Sequence, residues 1–167
     1  MNRLQRTLAK LDGLPSPLRG PARNFALRRA VPFTGTASLD FVALTPERSE
    51  IRVANKRPVQ NHIKGVHAAA MSLLAETATG MVVGMNVRDD CLPLCKSLQV
   101  NFRKRATGGL VAKAHLTAAQ RFAMANEVKG EVTVAVTVTD EAGVEPIQCE
   151  FVWAWVPKET STNKPQA

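Results

Sequence analysis

The chain has 167 residues, 45% hydrophobic and 22% charged, which is the length and composition of one soluble globular domain with a full core. No apolar run approaches the roughly 20 residues that span a bilayer, and the N-terminus lacks an apolar signal segment with a small-residue cleavage site. Three cysteines without a C-x-x-C pair, Cys91, Cys95 and Cys149, argue against a disulfide framework or a cysteine-rich zinc site, so a reduced, cytoplasmic setting is expected.

The net charge of +8 is unevenly spread. Residues 1–30 hold Arg3, Arg6, Lys10, Arg19, Arg23, Arg28 and Arg29 against Asp12 alone, so +6 of the +8 belongs to them. A basic surface favours anionic partners without choosing among them. Within this stretch Leu4, Leu8 and Leu11 recur at helical spacing, which predicts a short amphipathic helix stopped by Gly13 and Pro15. Pro15 to Pro21 reads as a loop, and Ala22–Ala30 as a second short helix before Pro32. Residues 1–32 are therefore expected to form a basic helical extension, 33–157 the main domain, and 158–167 a polar disordered tail.

Strands are expected at Thr36–Leu44 and Glu50–Lys56, joined by a turn at Thr45-Pro46. The pattern then changes. From His67 to about Met85 the residues are mostly Ala, Met, Leu and Thr without proline, predicting one long helix with an apolar face of Val66, Ala70, Leu73, Leu74, Thr77, Met81 and Val82. Glu76 is the lone charge along it. After a loop holding Arg88, Asp89, Asp90 and Pro93, strands are predicted at Ser97–Arg103, Leu110–Gln120, Glu127–Thr139 and Ile147–Val156. In the third of these, Val128, Val132, Val134, Val136 and Val138 share one parity with Gly130, and charged and Thr residues hold the other. Cys95 reads as a small buried thiol. Trp153 and Trp155 share one strand face, as packing residues do. One long helix against about six mostly antiparallel strands is an α+β layer arrangement, and a sheet of that size wrapped on one central helix is the hotdog fold. No β-α-β alternation or Gly-rich phosphate loop supports a nucleotide-binding fold.

The stretch Asn61-His-Ile-Lys-Gly-Val-His67-Ala-Ala-Ala-Met-Ser-Leu-Leu-Ala-Glu76 resembles the hotdog thioesterases of the phenylacetate-degradation type. Their pattern is an Asn six residues before a His, small residues after it, and an acid nine residues after it. Asn61, His67, Ala68 and Glu76 meet these spacings. Ala68-Ala69 stands where the pattern has Gly-Gly, and Lys64-Gly65 shifts the glycine by one place. The residue types suit thioester hydrolysis, which needs a base or nucleophile and donors for the developing oxyanion. Glu76 on an apolar helix has its charged form disfavoured, which tunes it toward a base. The Ala68 N–H lies at a helix start, where free amides and the dipole favour negative charge. Asn61 is a candidate to hold the carbonyl or a water, although Asn is equally a turn residue, and His67 is a candidate cap.

Ala68 and Glu76 are eight residues, about 12 Å, apart on one helix. One thioester cannot touch both, so a shared site requires two subunits, Asn61 and Ala68 from one and Glu76 from the other. The resemblance implies the same: hotdog thioesterases are dimers or dimers of dimers with interface sites. Gly65, Met71 and the basic run Arg103, Lys104 and Arg105 are candidates for substrate contact, the last three for coenzyme A phosphates. The expected partner is an acyl-CoA or acyl-carrier thioester, with coenzyme A as part of the substrate and no further cofactor or metal. With no tyrosine and 5% aromatics, nucleic-acid stacking is poorly supplied and no nucleic-acid partner is expected. A hydratase reading lacks its Asp five residues before a His. The alternatives are a hotdog module that binds acyl-CoA without turning it over and, on weaker grounds, a basic nucleic-acid or membrane-surface adaptor working through residues 1–30.

Overall fold

A computed structural model describes residues 1–159. Three helices open the chain: α1 (Arg3–Asp12), α2 (Ser16–Ala30) and α3 (Pro32–Thr36). Strands β1 (Asp40–Leu44) and β2 (Arg48–Val53) lead through a 3-10 turn at Arg57–Val59 to the long helix α4 (Ala68–Gly84). Then come β3 (Cys91–Phe102), β4 (Leu110–His115), α5 (Ala118–Asn126), β5 (Gly130–Asp140) and β6 (Ile147–Pro157). The six strands form one sheet in the order β1-β2-β4-β5-β6-β3, every neighbouring pair antiparallel. This is the α+β hotdog arrangement expected from the sequence.

Helix α4 forms where it does because His67 caps it and because straight-chain and Ala residues fill its first turns. It buries Ala70, Met71, Leu74, Ala75, Ala78, Val82 and Val83 against the sheet. The expected alternation holds from Gly130 on: Val132, Val134 and Val138 are buried, Val136 is half-buried, and Glu131, Thr133 and Thr137 are exposed, whereas Val128 lies before the strand, which starts three residues later than expected, and is exposed. In β6 Phe151, Trp153 and Trp155 face α4 and are buried, as their shared parity requires. The Trp153 indole N–H donates to Thr79 Oγ1 at 3.0 Å, and the Thr79 hydroxyl donates to the Glu76 carbonyl at 2.9 Å. A buried relay thus pins β6 to the turn of α4 that carries Glu76.

The two edges of the sheet are treated differently. Along β1, side chains of α2 take up backbone groups: the Arg23 guanidinium donates to the Val42 carbonyl (2.6 Å) and Arg28 to that of Leu39 (2.8 Å), while Asn24 Oδ1 accepts from the Phe41 N–H (2.8 Å). Strand β3, at the other edge, pairs with β6 alone. A bulge between Cys95 and Ser97 switches its faces. Before it, Pro93 and Cys95 sit beside Trp155 and Trp153; after it, Leu98, Val100 and Phe102 sit beside Phe151, Cys149 and Ile147. Leu98 and Phe102 are nonetheless each 54% exposed.

Several boundaries differ from expectation, each for a local reason. The loop expected at Pro15–Pro21 is instead the start of α2. Pro17 sits in its first turn, where no N–H partner is needed, and burial of Leu27 with the β1 bonds carries the helix past Pro21. The strand expected from Thr36 begins at Asp40, since α3 occupies 32–36. Strand β3 starts six residues before Ser97, and Pro93 is tolerated because the strand is an edge. The strand expected to run to Gln120 stops at His115 because a capping box opens α5: Thr117 Oγ1 accepts from the Gln120 N–H and the Gln120 side chain accepts from the Thr117 N–H. Lys158 donates to the Asp89 carbonyl. The tail expected at 158–167 lies, from residue 160 on, outside the described residues.

Candidate active site

The 61–67 loop is built around Asn61. Its Oδ1 accepts from the Ile63 and Gly65 N–H groups at 3.1 and 3.0 Å, and its own N–H donates to the Gly65 carbonyl at 2.9 Å. This is an Asx-type turn, the local bonding that Asn favours. The left-handed position in the turn is Lys64, with φ at 65°, and not the neighbouring Gly65. Among the described residues the Asn61 Nδ2 group donates to no acceptor, so its oxygen shapes the loop while its amide stays available. Asn55 holds the loop from outside, donating to the Lys64 carbonyl at 3.0 Å.

His67 then ends the loop and starts the helix. Its N–H donates to the Val59 carbonyl (2.8 Å), and its Nδ1 accepts from the Ala69 N–H (3.0 Å). That bond leaves Nδ1 unprotonated and makes His67 the N-cap, the orienting role its position implies. The N–H of Ala70 is also taken, by the His67 carbonyl at 2.9 Å. Among the described residues the exposed Ala68 N–H has no acceptor. The first turn therefore presents one free amide at the positive end of a 17-residue helix.

Two turns further along, Glu76 is half-buried, near the β3 edge of the sheet. Burial raises its carboxyl above the ordinary value of 4.5. Thr77 acts in the opposite direction, but its hydroxyl is buried without a regular hydrogen bond, so desolvation prevails. Cys95 of β3 lies close enough for the Glu76 charge to add to burial in pushing its thiol up. Cys95 is exposed, which corrects its reading as a buried thiol; the β3 edge carries no further strand to cover it.

Within one chain Asn61, Gly65, His67 and Ala68 come together, and Glu76 stands apart from them. Arg105 belongs with the first group, since its guanidinium donates to the Ile63 carbonyl at 3.3 Å. Arg103 is tied to Gln148 at 3.0 Å, and Lys104 is exposed beside it. The basic run thus ends β3 next to the Asn61 turn. Met71 is only 7% exposed and packs within the core. A cavity of about 180 Å³ opens at the helix start, lined by Phe33, Pro58, His67, Ala69 and Leu73 among others. The sequence reading missed Phe33; only its place in α3 brings it there. No helix of the described residues is long and apolar enough to cross a membrane.

The model of a family described as a domain of unknown function, DUF4442, matches residues 22–156. No curated protein sequence matches this one. Among solved structures, the chain is similar to a protein of unknown function from Pseudomonas aeruginosa described as a probable thioesterase. The two share 21% identity over 87% of this chain and 97% of the other, with a TM-score of 0.72. A putative thioesterase from Shewanella oneidensis superposes with a TM-score of 0.69 at 13% identity, covering 81% of this chain and 96% of that one. A thioesterase from Haemophilus influenzae gives 0.64 at 10%, covering 78% and 87%. At these identities the likeness is one of fold.

Proposed function

The chain belongs to the DUF4442 family, and we propose that it hydrolyses an acyl-CoA-type thioester at a site shared between two subunits. The observation that carries this is the pair of complementary halves on α4: a free amide at its start and, two turns on, a half-buried carboxyl whose pKa is raised by burial. Neighbours of the same fold that are described as thioesterases add support.

In this reading Ala68 N–H and Asn61 Nδ2 of one subunit receive the thioester carbonyl oxygen. Glu76 of the other takes a proton from water, whose oxygen adds to the carbonyl carbon. The C–S bond then breaks, and the thiolate leaves with the proton that Glu76 held. The preorganised donors act where negative charge develops, in a partly dry site. Arg103, Lys104 and Arg105, beside the Asn61 turn, suit the phosphates of the carrier. The edge of β3, with Leu98 and Phe102 exposed on the α4 side, is the surface through which a second copy completes the site.

Subunit mixing tests the reading. Glu76→Ala and Asn61→Ala homo-oligomers are each expected to release little thiol from acyl-CoA. After unfolding and refolding together in equal amounts, half the dimers are mixed and one site in each is intact, giving roughly a quarter of the wild-type rate. Mixtures no more active than the two variants alone contradict a shared site.

A further inference from the structure

Helix α2 carries its polarity inside out. A surface helix ordinarily turns its apolar stripe inward and its charges to solvent. Here Arg23, Asn24 and Arg28 reach β1 and bond its backbone, and Leu27 is the buried residue of the helix. The outward face is left to Leu18, Pro21, Phe25 and Arg29, which follow at i, i+3, i+7 and i+11. Leu18 is 54% exposed and Phe25 72%; Val31 (49%) and Phe33 (61%) come next, on either side of Pro32. We infer that this face of α2, with the turn into α3, docks the protein on the surface of a bilayer rich in anionic phospholipid.

Charge and apolar surface together select that partner. From Gly13 to Leu39 the chain has Arg19, Arg23, Arg28 and Arg29 and no acidic residue. Arg29 is exposed and has no ion pair among the described residues, and it shares one groove with Pro21, Phe25, Arg28 and Pro32. Basic side chains near an anionic leaflet favour association, while aliphatic and aromatic groups beside them enter the boundary between headgroups and acyl chains. A soluble anion would use the arginines and leave the apolar groups in water. A nucleic acid would do little better, since Leu18, Pro21, Val31 and Pro32 offer bases neither hydrogen bonds nor stacking planes.

The face is uncovered and held in shape. Helix α2 lies along β1, at the opposite end of the strand order from β3, so a second copy seated on the β3 edge leaves it open. Besides the bonds to β1, α3 packs back on α2 at Gly35, where an added Cβ would stand 3.3 Å from the Arg28 carbonyl oxygen. The preceding helix is fixed as well: Asn2 donates to the Gly84 and Val87 carbonyls at 2.8 and 2.7 Å, and Gln5 to that of Met85 at 2.7 Å. The helical extension is thus a rigid surface and not a loose basic arm. Phe33 also lines the cavity at the start of α4, so the face adjoins the candidate site. The inference does not depend on the thioesterase reading.

Co-sedimentation of the full chain with vesicles tests it, using phosphatidylcholine alone and phosphatidylcholine with phosphatidylglycerol in equal parts. Wild type is expected to bind the mixed vesicles at least about tenfold more tightly than the neutral ones. Phe25→Ser removes an inserted aromatic and should weaken that binding about tenfold. Arg29→Glu changes two units of charge and should weaken it about thirtyfold. Both positions are exposed, and circular dichroism checks that each variant is folded. Phe122→Ser, which removes an equally exposed aromatic (71%) from α5, should leave binding unchanged. No binding of wild type to the mixed vesicles overturns the inference. So does a loss in Arg29→Glu with none in Phe25→Ser, which marks adsorption by charge alone, or a loss in Phe122→Ser equal to that in Phe25→Ser. Two further results also overturn it: wild type binding a labelled RNA oligonucleotide but not the vesicles, which marks a nucleic-acid surface, and Phe25→Ser lowering the mass seen by light scattering, which marks a face between copies of this chain.

Discussion

Thr79→Val cuts the relay that ties β6 to the Glu76 turn. Thr79 is fully buried and Trp153 is 7% exposed, so neither group can turn to water for a replacement partner. Val matches Thr in shape and in helix propensity, leaving the loss of the hydroxyl as the main change. The Trp153 N–H, now 3.0 Å from a methyl instead of an oxygen, becomes an unpaired buried donor, which costs about 1–3 kcal/mol. For a chain of this size about 2 kcal/mol lowers Tm by about 4–8 °C. Urea unfolding followed by tryptophan emission, at one fixed protein concentration, reads the change directly. A double-mutant cycle with Trp153→Phe isolates the bond, and a coupling of about 1–2 kcal/mol is expected. A loss below about 0.5 kcal/mol, the scale of an ordinary surface change, refutes the argument that this bond fixes α4 on the sheet.

Thiol release is expected to rise with pH through the raised pKa of Glu76, because the carboxylate is the active form, and Glu76→Gln removes that inflection. Stability runs the other way. A carboxyl whose pKa is raised on folding holds its proton more tightly when folded, so its contribution is complete below the unfolded pKa and is lost as pH rises through the folded one. Glu76→Gln should therefore stabilise the protein at pH 8 and lose that advantage at pH 4; equal Tm differences at both contradict this. Lys64→Gly relieves a side chain held at positive φ and should raise stability by up to about 1 kcal/mol in the same urea assay, whereas a loss means that Lys64 makes a contact worth more than the strain. On the shared-site proposal wild type is a dimer in light scattering, and Leu98→Asp at the β3 edge should give a monomer and abolish thiol release; an active monomer contradicts the shared site.

The parts of the fold legible in the sequence are those where a single period dominates. The valine alternation of β5 and the proline-free run of α4 each follow from one face buried against another; α4 stands within a residue of its expected bounds, and β5 from Gly130 on, with Val128 left outside. Elements decided by termini or tertiary contacts were not legible from period. The start of α5 was written in Thr117 and Gln120, three residues apart, but the preceding alternation masked it. Pro93 reads as a loop residue unless β3 is known to be an edge, which only the strand order reveals. The docking of α1 depends on Asn2 and Gln5 meeting carbonyls more than eighty residues away or nearly so, and no local pattern encodes that. For the site, the spacing of Asn61, His67, Ala68 and Glu76 pointed to a helix start and a carboxylate. The structure adds how Asn61 divides its two polar atoms, that His67 spends its Nδ1 on Ala69, and that Ala68 is left free. Phe33 escaped because its nearness to the site comes from α3, and Cys95 was misjudged as buried because its exposure comes from the bulged edge strand.

The most direct measurement is free-thiol release from a panel of acyl-CoAs by wild type and by Glu76→Ala, with acyl-CoA binding measured on the same folded samples. Turnover by wild type and a loss of at least about a hundredfold in the variant, with binding largely kept, is the predicted result. No thiol from any substrate, together with acyl-CoA binding that survives Glu76→Ala, contradicts hydrolysis and leaves a binding module.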